Sequence, residues 1–422
     1  MMPTSWIDIL RPGRLAKNTL AMTTGMGLRT LGQAVVFLVI ARLLGAEAYG
    51  AYSAVLALAM TASGFAGIGV SMLMLRDTAR NPKTFKKAWG RTLAALCITI
   101  PALLFGYSWV AWTIIGDQVV WSVILCIGAA EILISPFAVV SIHAYQGHER
   151  IGRAARLILA PILPRLAAAI IFIPVATYLE APARLPTWTF LYLVATIFAG
   201  GYAVWLVRCD LGGRFSLHWS GMVKAIREGW SFSAGWVAQK VYVDIDKVML
   251  ARMTTLDAAG AYSAAYRLLD MASVPLLSLL TAATPRFFRA GETGPMGAAS
   301  YALRILPIPM GYALLISVAL YSFAGLLPWL LGESFKPAAE TLRWLSWMPA
   351  LTITRLFLQT ALGTSGNQNL SVAIMTGGAF ANILLNMWAI PLWTWKGAVF
   401  STYVAELAMI LGYFLFFIGV RH

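Results

Sequence analysis

Two stretches of the sequence, RLLGAEAYGAYSA at residues 42–54 and RMTTLDAAGAYSA at residues 252–264, repeat one pattern at an offset of 210 positions. In each, an acidic residue precedes the glycine by three positions, and the same Ala-Tyr-Ser-Ala ends the stretch. A short alanine-rich match could arise by chance, but the same offset also brings Arg76 onto Arg286. The second half of the chain is therefore predicted to repeat the first in parallel orientation, as in many transporters.

The composition places the chain in a membrane. Of its 422 residues 59% are hydrophobic and only 12% are charged, and the mean hydropathy is +0.74. A water-soluble domain of this length carries far more charge. Apolar runs of about twenty residues, the length that crosses a bilayer as a helix, recur along the whole chain. Long unbroken runs such as 94–105 lack the alternation of barrel strands, which predicts an all-α membrane protein.

The apolar runs predict about twelve transmembrane helices, six in each half. They are placed near 18–41, 48–75, 89–115, 119–146, 154–178, 187–207, 229–251, 258–284, 301–330, 341–362, 370–392 and 397–419. The predicted organisation is an interfacial N-terminal segment (1–17), a six-helix bundle (18–207), a cytoplasmic linker (208–228) and a second six-helix bundle (229–422).

Lysine and arginine between the predicted helices fix the orientation. Twenty of them lie in alternate segments, at the N-terminus, in 76–91, 150–156, 208–227 and 286–304, and at the C-terminus, whereas six lie on the other side. The positive-inside rule then puts both termini in the cytoplasm. Most of the net charge of +15 follows from this topology, so no nucleic-acid partner is expected.

No motif indicates an enzyme, a resident metal or a cofactor. The chain has no Gly-rich phosphate loop and no His/Glu spacing typical of a zinc site. The cysteines and histidines are too scattered for a disulfide framework or a metal site; they are Cys97, Cys126, Cys209, His143, His148, His218 and His422.

Four segments resemble a known family, the Wzx-type polysaccharide and oligosaccharide flippases of the superfamily that also holds lipid II flippases and multidrug and toxin extruders. The resemblance is carried by the motifs at 42–53, 246–268, 332–345 and 363–369. It implies a bacterial inner-membrane protein whose two six-helix bundles form a V around a central cavity that opens alternately to either side. The lipid II branch usually has two further helices, which a chain of 422 residues is not expected to hold.

Eleven charged residues lie more than one turn from either end of the predicted membrane helices. One such group at the centre of a helix costs about 2.5–3.5 kcal/mol on insertion scales, so these side chains must line an aqueous cavity or pair with each other. They are Arg29, Arg165, Lys240, Lys247, Arg267, Arg355, Glu131, Asp244, Asp246, Asp270 and Glu406.

Helical spacing predicts ion pairs for some of these charges. Asp244 lies four residues after Lys240 and three before Lys247, and Asp270 lies three after Arg267, so each pair shares a helix face. Such pairs either fix helix packing or belong to a binding site, and the spacing does not decide between the two. Lys247 and its neighbour Asp246 lie near the outer end of their helix, where they could instead reach the membrane surface.

Three arginines, Arg29, Arg165 and Arg355, have no acidic partner within one turn of their own helix. A guanidinium group keeps its charge in proteins and fits phosphate with two parallel hydrogen bonds, so an unpaired buried arginine favours an anionic ligand. Pairing with Glu131 or Glu406 on another helix is the open alternative. The resemblance implies that an arginine in the middle of the first helix faces the cavity, which favours Arg29.

Aromatic and amide side chains near these charges suit a sugar. Tyr262 and Tyr266 lie one turn apart, Tyr242 is on the preceding helix, and Gln33 and Gln359 follow Arg29 and Arg355 by one turn. Sugar rings stack on aromatic faces while their hydroxyl groups bind polar side chains.

These patterns, with the resemblance, predict a flippase that moves a polyprenyl diphosphate-linked oligosaccharide to the periplasmic leaflet by alternating access. H⁺ or Na⁺ is expected to drive its reset. The partners expected are the lipid-linked substrate, membrane lipids and a polysaccharide polymerase. The predicted diphosphate ligands are Arg29, Arg267, Arg355, Arg165 and Lys240, and the predicted ion-coupling carboxylates are Glu131, Asp270 and Asp244.

Two alternatives remain open at this point. A cation-coupled multidrug extruder of the same fold would favour an acidic cavity, whereas six basic residues outnumber five acidic ones inside the predicted helices. A scaffold protein of polysaccharide assembly that transports nothing would have no use for charges that are so costly to bury.

Overall fold

The computed structural model describes the backbone of residues 14–421 and the side chains of residues 27–420, except those of Ala282 and Pro285. The predicted interfacial segment therefore lies almost wholly outside the described residues. The helices of the first half are α1 (Arg14–Ser63), α2 (Val70–Arg80), α3 (Phe85–Ile115), α4 (Trp121–Gly128), α5 (Ser135–Gly147), α6 (Ile151–Leu159), α7 (Ile162–Tyr178) and α8 (Ala181–Leu211).

The second half has nine helices in the described residues. They are α9 (Met222–Met253), α10 (Leu256–Gly291), α11 (Pro295–Ile305), α12 (Pro307–Phe323), α13 (Leu327–Leu331), α14 (Lys336–Leu345), α15 (Met348–Thr364), α16 (Gln368–Trp393) and α17 (Trp395–Arg421). A π-helical turn, Ala129–Ile134, joins α4 to α5, and short 3-10 turns lie at Ala66–Gly69, Pro82–Thr84, Ala324–Leu326 and Glu333–Phe335. No strand occurs in residues 14–421.

Helix α1 contains the first two predicted membrane helices. Its backbone turns back at Gly45, which has φ +77° and ψ 173°, a conformation that only glycine adopts without strain. The second membrane helix then continues through the 3-10 turn Ala66–Gly69 into α2. The separate helices predicted at 18–41 and 48–75 thus correspond to one hydrogen-bonded stretch with a glycine corner and a later break.

The described helices group into the twelve membrane-length rods that the sequence predicts, but their polarity differs. Eight helical stretches within the described residues are long and apolar enough to cross a membrane by length and composition. Helices α9, α10 and α15 are not among them. Lys240, Arg267 and Arg355 lie on these three helices, whereas Glu131, Arg165 and Glu406 lie within the apolar stretches, so charged side chains occur on both kinds of helix.

The two halves form two lobes, which we call the N-lobe (residues 14–211) and the C-lobe (residues 222–421). We call the side of the arginine-rich loops, such as 76–91 and 286–304, the basic side, and the opposite side the far side. The largest apolar cluster draws on both lobes at the far side, whereas each lobe has its own cluster toward the basic side. The lobes therefore share their main core at the far side, and a small second cluster joins them on the basic side.

The sequence repeat forms the centre of this far-side contact. The Ser53 hydroxyl donates to the Ser263 hydroxyl at 2.8 Å, and these two residues are 210 positions apart. A Cβ atom on Gly50 would lie 1.9 Å from a carbonyl oxygen of α10, and one on Gly260 would lie 1.9 Å from a carbonyl oxygen of α1. Equivalent residues of the two lobes thus face each other across a pseudo-twofold axis, where only glycine allows this approach.

On the basic side, contact between the lobes runs along the start of α9. Met222 and Ala225 are buried in a cluster with residues of α2 and α3. A Cβ atom on Gly229 would lie 2.3 Å from the backbone oxygen of Ile68. Arg76 also contacts Glu228 at 3.2 Å. The first turns of α9 therefore pack on the N-lobe although the helix belongs to the C-lobe.

Candidate functional site

In the N-lobe, a glutamate and an arginine meet in mid-span. Glu131 lies in the π-helical turn between α4 and α5, accepts a hydrogen bond from the Tyr192 hydroxyl, and forms an ion pair with Arg165 at 3.4 Å. The guanidinium of Arg165 also lies 4.5 Å from the centre of the Tyr192 ring, and its Nε has no hydrogen-bond partner. The charge of Arg165 is thus only partly satisfied. π-helical turns within α-helices are frequent at functional sites.

Two further arginines lie near this pair without an ion-pair partner of their own. Arg29 on α1 is exposed in mid-span, Arg267 on α10 is half-buried, and neither is within 4.0 Å of a carboxylate oxygen in the described part of the chain. The charges of Arg165 and Arg267 both act on Arg29. Three arginines, two from the N-lobe and one from the C-lobe, therefore concentrate positive charge between the lobes.

The predicted pair between Arg267 and Asp270 does not form. Both side chains are half-buried, and their separation exceeds the ion-pair limit of 4.0 Å in this conformation, although each lies within electrostatic range of the other. Sharing a helix face brings side chains into reach of each other, but it does not fix their rotamers. Asp270 is consequently the predicted coupling carboxylate that has no cation bound to it.

The charges on α9 form a compact chain of ion pairs, as their spacing predicts. Asp244 lies 2.5 Å from Lys240 and 2.5 Å from Lys247, while Asp246 accepts a hydrogen bond from the Tyr262 hydroxyl. Asp246 and Lys247 are buried, so the suggested extension to the membrane surface is wrong. The reason is that Asp244, Val243 and Tyr262 satisfy these polar groups inside the protein.

In the C-lobe, Arg355 is paired and sealed. Its Nε lies 2.6 Å from Glu406, its Nη1 donates to Gln359 at 2.8 Å, and its side chain is only 3% exposed. The expectation of an unpaired Arg355 is therefore wrong for this conformation, and the alternative pairing with Glu406 is the one observed. The sequence missed this because α15 and α17, which bring the two residues together, are separated by a whole helix.

The tyrosines predicted to contact a glycan are all buried. Tyr262 and Tyr266 pack with ring centres 5.1 Å apart, and Lys247 lies over the second ring. Tyr242 lies beneath the guanidinium of Arg355. None of these rings presents an open face in this conformation, so the expected stacking surface is not formed. Gln33, on the same helix as Arg29, is half-buried.

The sequence analysis did not identify three aromatic residues of the site, which lie beside the arginines. The Tyr52 ring lies 6.4 Å from that of Trp188 and 6.1 Å from that of Tyr192, next to Glu131 and Arg165. The repeat could have identified Tyr52, because this residue aligns with Tyr262 at the same offset of 210 positions as the paired serines. Tyr192 and Trp188 lie in an apolar run that contains no comparable pattern.

The sequence matches known proteins in one family. Residues 15–290 match the model of a family described as "Polysaccharide biosynthesis protein". No curated protein matches the chain by sequence.

The fold matches solved transporters. The lipid II flippase MurJ in an inward closed conformation has a TM-score of 0.78 at 10% identity, covering 96% of this chain and 88% of that one. An inward-facing multidrug resistance MATE transporter of the MOP superfamily gives 0.74 at 17% identity, covering 93% and 95%. An outward-facing structure of such a transporter gives 0.63 at 15% identity, covering 100% and 99%. The chain therefore has the two-lobed fold of this superfamily.

Proposed function

Since the chain belongs to the polysaccharide biosynthesis protein family, we propose that it is a flippase that moves a polyprenyl diphosphate-linked oligosaccharide between the leaflets of a bacterial inner membrane. The observation that carries the proposal is the pair of arginines without a carboxylate, Arg29 and Arg267, which approach each other from opposite lobes. Two guanidinium groups match the two phosphates of a diphosphate. Arg165, with its unpartnered Nε, adds a third donor beside them.

The position of these residues suits alternating access. Arg29 and Arg165 belong to the N-lobe and Arg267 to the C-lobe, so a bound anion bridges the lobes and reduces the repulsion between them. Rocking of the lobes then carries the anion from one side to the other while the lipid tail stays in the bilayer. Both termini and the basic side face the cytoplasm in this proposal, and the six-helix bundles predicted at 18–207 and 229–422 are the two units that move.

Of the coupling carboxylates considered, Asp270 is the strongest. Glu131 is paired with Arg165 and Asp244 with two lysines, whereas the half-buried Asp270 forms no ion pair with any residue that the structure describes. A carboxylate that holds no cation of the protein can take up H⁺ or Na⁺ from the cavity. Arg355 and Lys240, which are already neutralised, then have structural roles, and a polymerase is the expected receiver of the flipped glycan.

The test is translocation of a fluorescent polyprenyl diphosphate oligosaccharide in proteoliposomes. Arg29→Ala and Arg267→Ala are each expected to lower the rate at least tenfold, because each removes about 1.5–3 kcal/mol of charge-assisted hydrogen bonding. Arg289→Ala, which changes an exposed arginine on the same helix as Arg267, is the control and keeps the wild-type rate. Wild-type rates for both cavity variants would overturn the proposal.

A second candidate, cation-coupled drug extrusion, is favoured by the fold similarity to multidrug transporters and by the free carboxylate of Asp270. It predicts that liposomes with the protein accumulate a lipophilic cation such as ethidium, and that Asp270→Asn abolishes this. A flippase stays inactive toward ethidium. A scaffold that transports nothing gives no signal in either assay and is not stabilised by the lipid-linked sugar.

A further inference from the structure

The segment between the lobes, residues 212–221, is bound to the N-lobe. The backbone N–H of His218 donates to the carbonyl oxygen of Gly90 at 3.1 Å. A Cβ atom on Gly90 would lie 2.6 Å from the backbone oxygen of Ser216. Together with the burial of Met222, these contacts place the segment beside the basic start of α3.

Seven cations and four large apolar side chains lie in this segment, in the first turns of α9, and at or just before the start of α3. We call them the linker face: Lys83, Lys86, Lys87, Arg91, Arg214, Lys224, Arg227, Phe215, Trp219, Val223 and Trp230. All but Arg91, which is half-buried, are exposed.

The cations of the linker face lack the carboxylates that balance other charges on the basic side. Arg153 is 3.3 Å from Asp210, and Arg76 is 3.0 Å from Asp77. In the linker face, by contrast, the one ion pair within the described residues is the loose contact of Lys224 with Glu228 at 3.9 Å. A concentration of unbalanced positive charge attracts anions.

The apolar residues of the linker face are unusually open to solvent. Trp219 is 53% exposed, Trp230 is 53% exposed, and Val223 is 82% exposed. Tryptophan is enriched where a protein crosses the headgroup level of a membrane, because its ring has an apolar body and a polar N–H. Exposed aromatic residues among lysine and arginine are therefore typical of a surface that contacts lipid headgroups.

Two hollows adjoin along α9. The first, of about 540 Å³, is lined by Trp219, Lys224 and Arg227 among others. The second, of about 330 Å³, is almost wholly apolar and includes Phe65 and Trp230, whose rings stack 5.7 Å apart. Arg227 and Trp230 are three residues apart on one helix, which puts the cationic hollow and the apolar hollow next to each other.

We propose that the linker face is a binding site for an anionic phospholipid of the adjacent leaflet. The headgroup phosphate binds Lys224 and Arg227 in the first hollow, with the cations of α3 around it. The Trp219 ring lies at the headgroup level, and an acyl chain occupies the apolar hollow beside Trp230. The site is separate from the arginines between the lobes, and its ligand is not the transported molecule.

The positive-inside rule accounts for the positive charge of the linker face, but for none of its other features. It does not account for a cationic hollow that lies next to an apolar one, nor for tryptophan in the lining of both. An anionic phospholipid needs both parts, since its phosphate and its acyl chain are joined. Free phosphate would use the first hollow only.

The experiment measures lipid retention by the purified full-length protein, using native mass spectrometry after exchange into micelles with phosphatidylglycerol or phosphatidylcholine. The wild type is expected to retain phosphatidylglycerol in preference. The variant K87Q/K224Q/R227Q is expected to bind it roughly tenfold more weakly, because each cation near an anionic headgroup contributes to binding. Inorganic phosphate at millimolar concentration should not displace the lipid.

The matched control is R286Q/R289Q/R304Q, which removes three exposed arginines on the basic side of the C-lobe. It should retain phosphatidylglycerol like the wild type. Trp230→Ser, which keeps every charge, should weaken retention of the long-chain lipid but not of a short-chain one. Equal losses in the two triple variants, equal binding of both lipids, or displacement by free phosphate or by the lipid-linked sugar would each overturn the proposal.

Discussion

The two lobes have similar residues at the contact between them, but their buried ion pairs differ in length and exposure. At the far side, Gly50 and Ser53 of the N-lobe contact the equivalent region of the C-lobe, and the close backbone approach at Gly50 is matched by the one at Gly260. In mid-span, however, the pair of Arg165 with Glu131 is 18% and 8% exposed, whereas that of Arg355 with Glu406 is 3% and 2% exposed. The repeat has thus preserved the contact that joins the lobes and diverged in the polar groups that each lobe contains.

The difference indicates that the two buried arginines, Arg165 and Arg355, have different roles. The C-lobe pair is short and sealed, and its arginine has a second partner in Gln359. The N-lobe pair is longer and lies near two arginines that form no ion pair within the described part of the chain, so its cation remains available to an anion. A buried ion pair adds little net stability, but removing one partner leaves an unpaired charge at high cost. The lobes should therefore respond very differently to the loss of a glutamate.

The largest effect is expected from Glu406→Ala. The substitution leaves Arg355 buried without a counter-charge and should lower the free energy of unfolding by about 3–5 kcal/mol. Thermal unfolding in detergent measures it. The double variant E406L/R355M, which removes both charges, should recover most of the loss. A single variant as stable as the wild type would mean that water reaches this pair.

Next in size is the effect of a methyl group at the far-side contact. Gly50→Ala and Gly260→Ala place a Cβ atom within 1.9 Å of a backbone oxygen, so the lobes must separate there. Each should cost about 1–3 kcal/mol, the usual range for overpacking, and the two costs should be similar. Labelling of Ser53→Cys by an impermeant thiol reagent, in a protein whose three native cysteines are replaced by serine, reports the opening. Unequal labelling at position 53 in the Gly50→Ala and Gly260→Ala proteins would show that the two lobes do not contribute equally to this contact.

A smaller loss of stability is expected from Glu131→Ala, about 1–2 kcal/mol, because Arg165 is partly exposed and keeps its contact with the Tyr192 ring. The freed guanidinium should also bind pyrophosphate more tightly than the wild type does. Isothermal titration calorimetry measures this gain, and Glu406→Gln serves as the control because Arg355 is buried. A loss as large as that of Glu406→Ala would remove the distinction between the lobes.

The smallest effect concerns the paired serines. Ser53→Ala and Ser263→Ala each remove one end of the same hydrogen bond and should cost about 1 kcal/mol. The double variant should cost little more than either single variant, since both remove one interaction. Additive losses in a thermal unfolding series would show that the two hydroxyl groups act separately.

The sequence predicted the twelve membrane-length helices because each needs a long apolar run, and it predicted the repeat because the lobe contact demands glycine and serine at fixed places. It also predicted the ion pairs of Asp244, which lie within one turn of their partners. It could not assign Glu131 to Arg165 or Glu406 to Arg355, since those pairs depend on how separate helices pack. The sequence also could not predict that Arg267 and Asp270 stay apart, because this depends on their side-chain rotamers.

Helix α9 has a consequence for motion between the lobes. Its first turns are fixed to the N-lobe through Gly229 and Met222, while its later turns carry Lys240 and Asp244 within the C-lobe. A swing of one lobe against the other cannot leave this rod straight. If the lobes move as proposed, α9 has to bend between Gly229 and Lys240, next to the ion pairs of Asp244. Those ion pairs would then be strained each time the lobes change position.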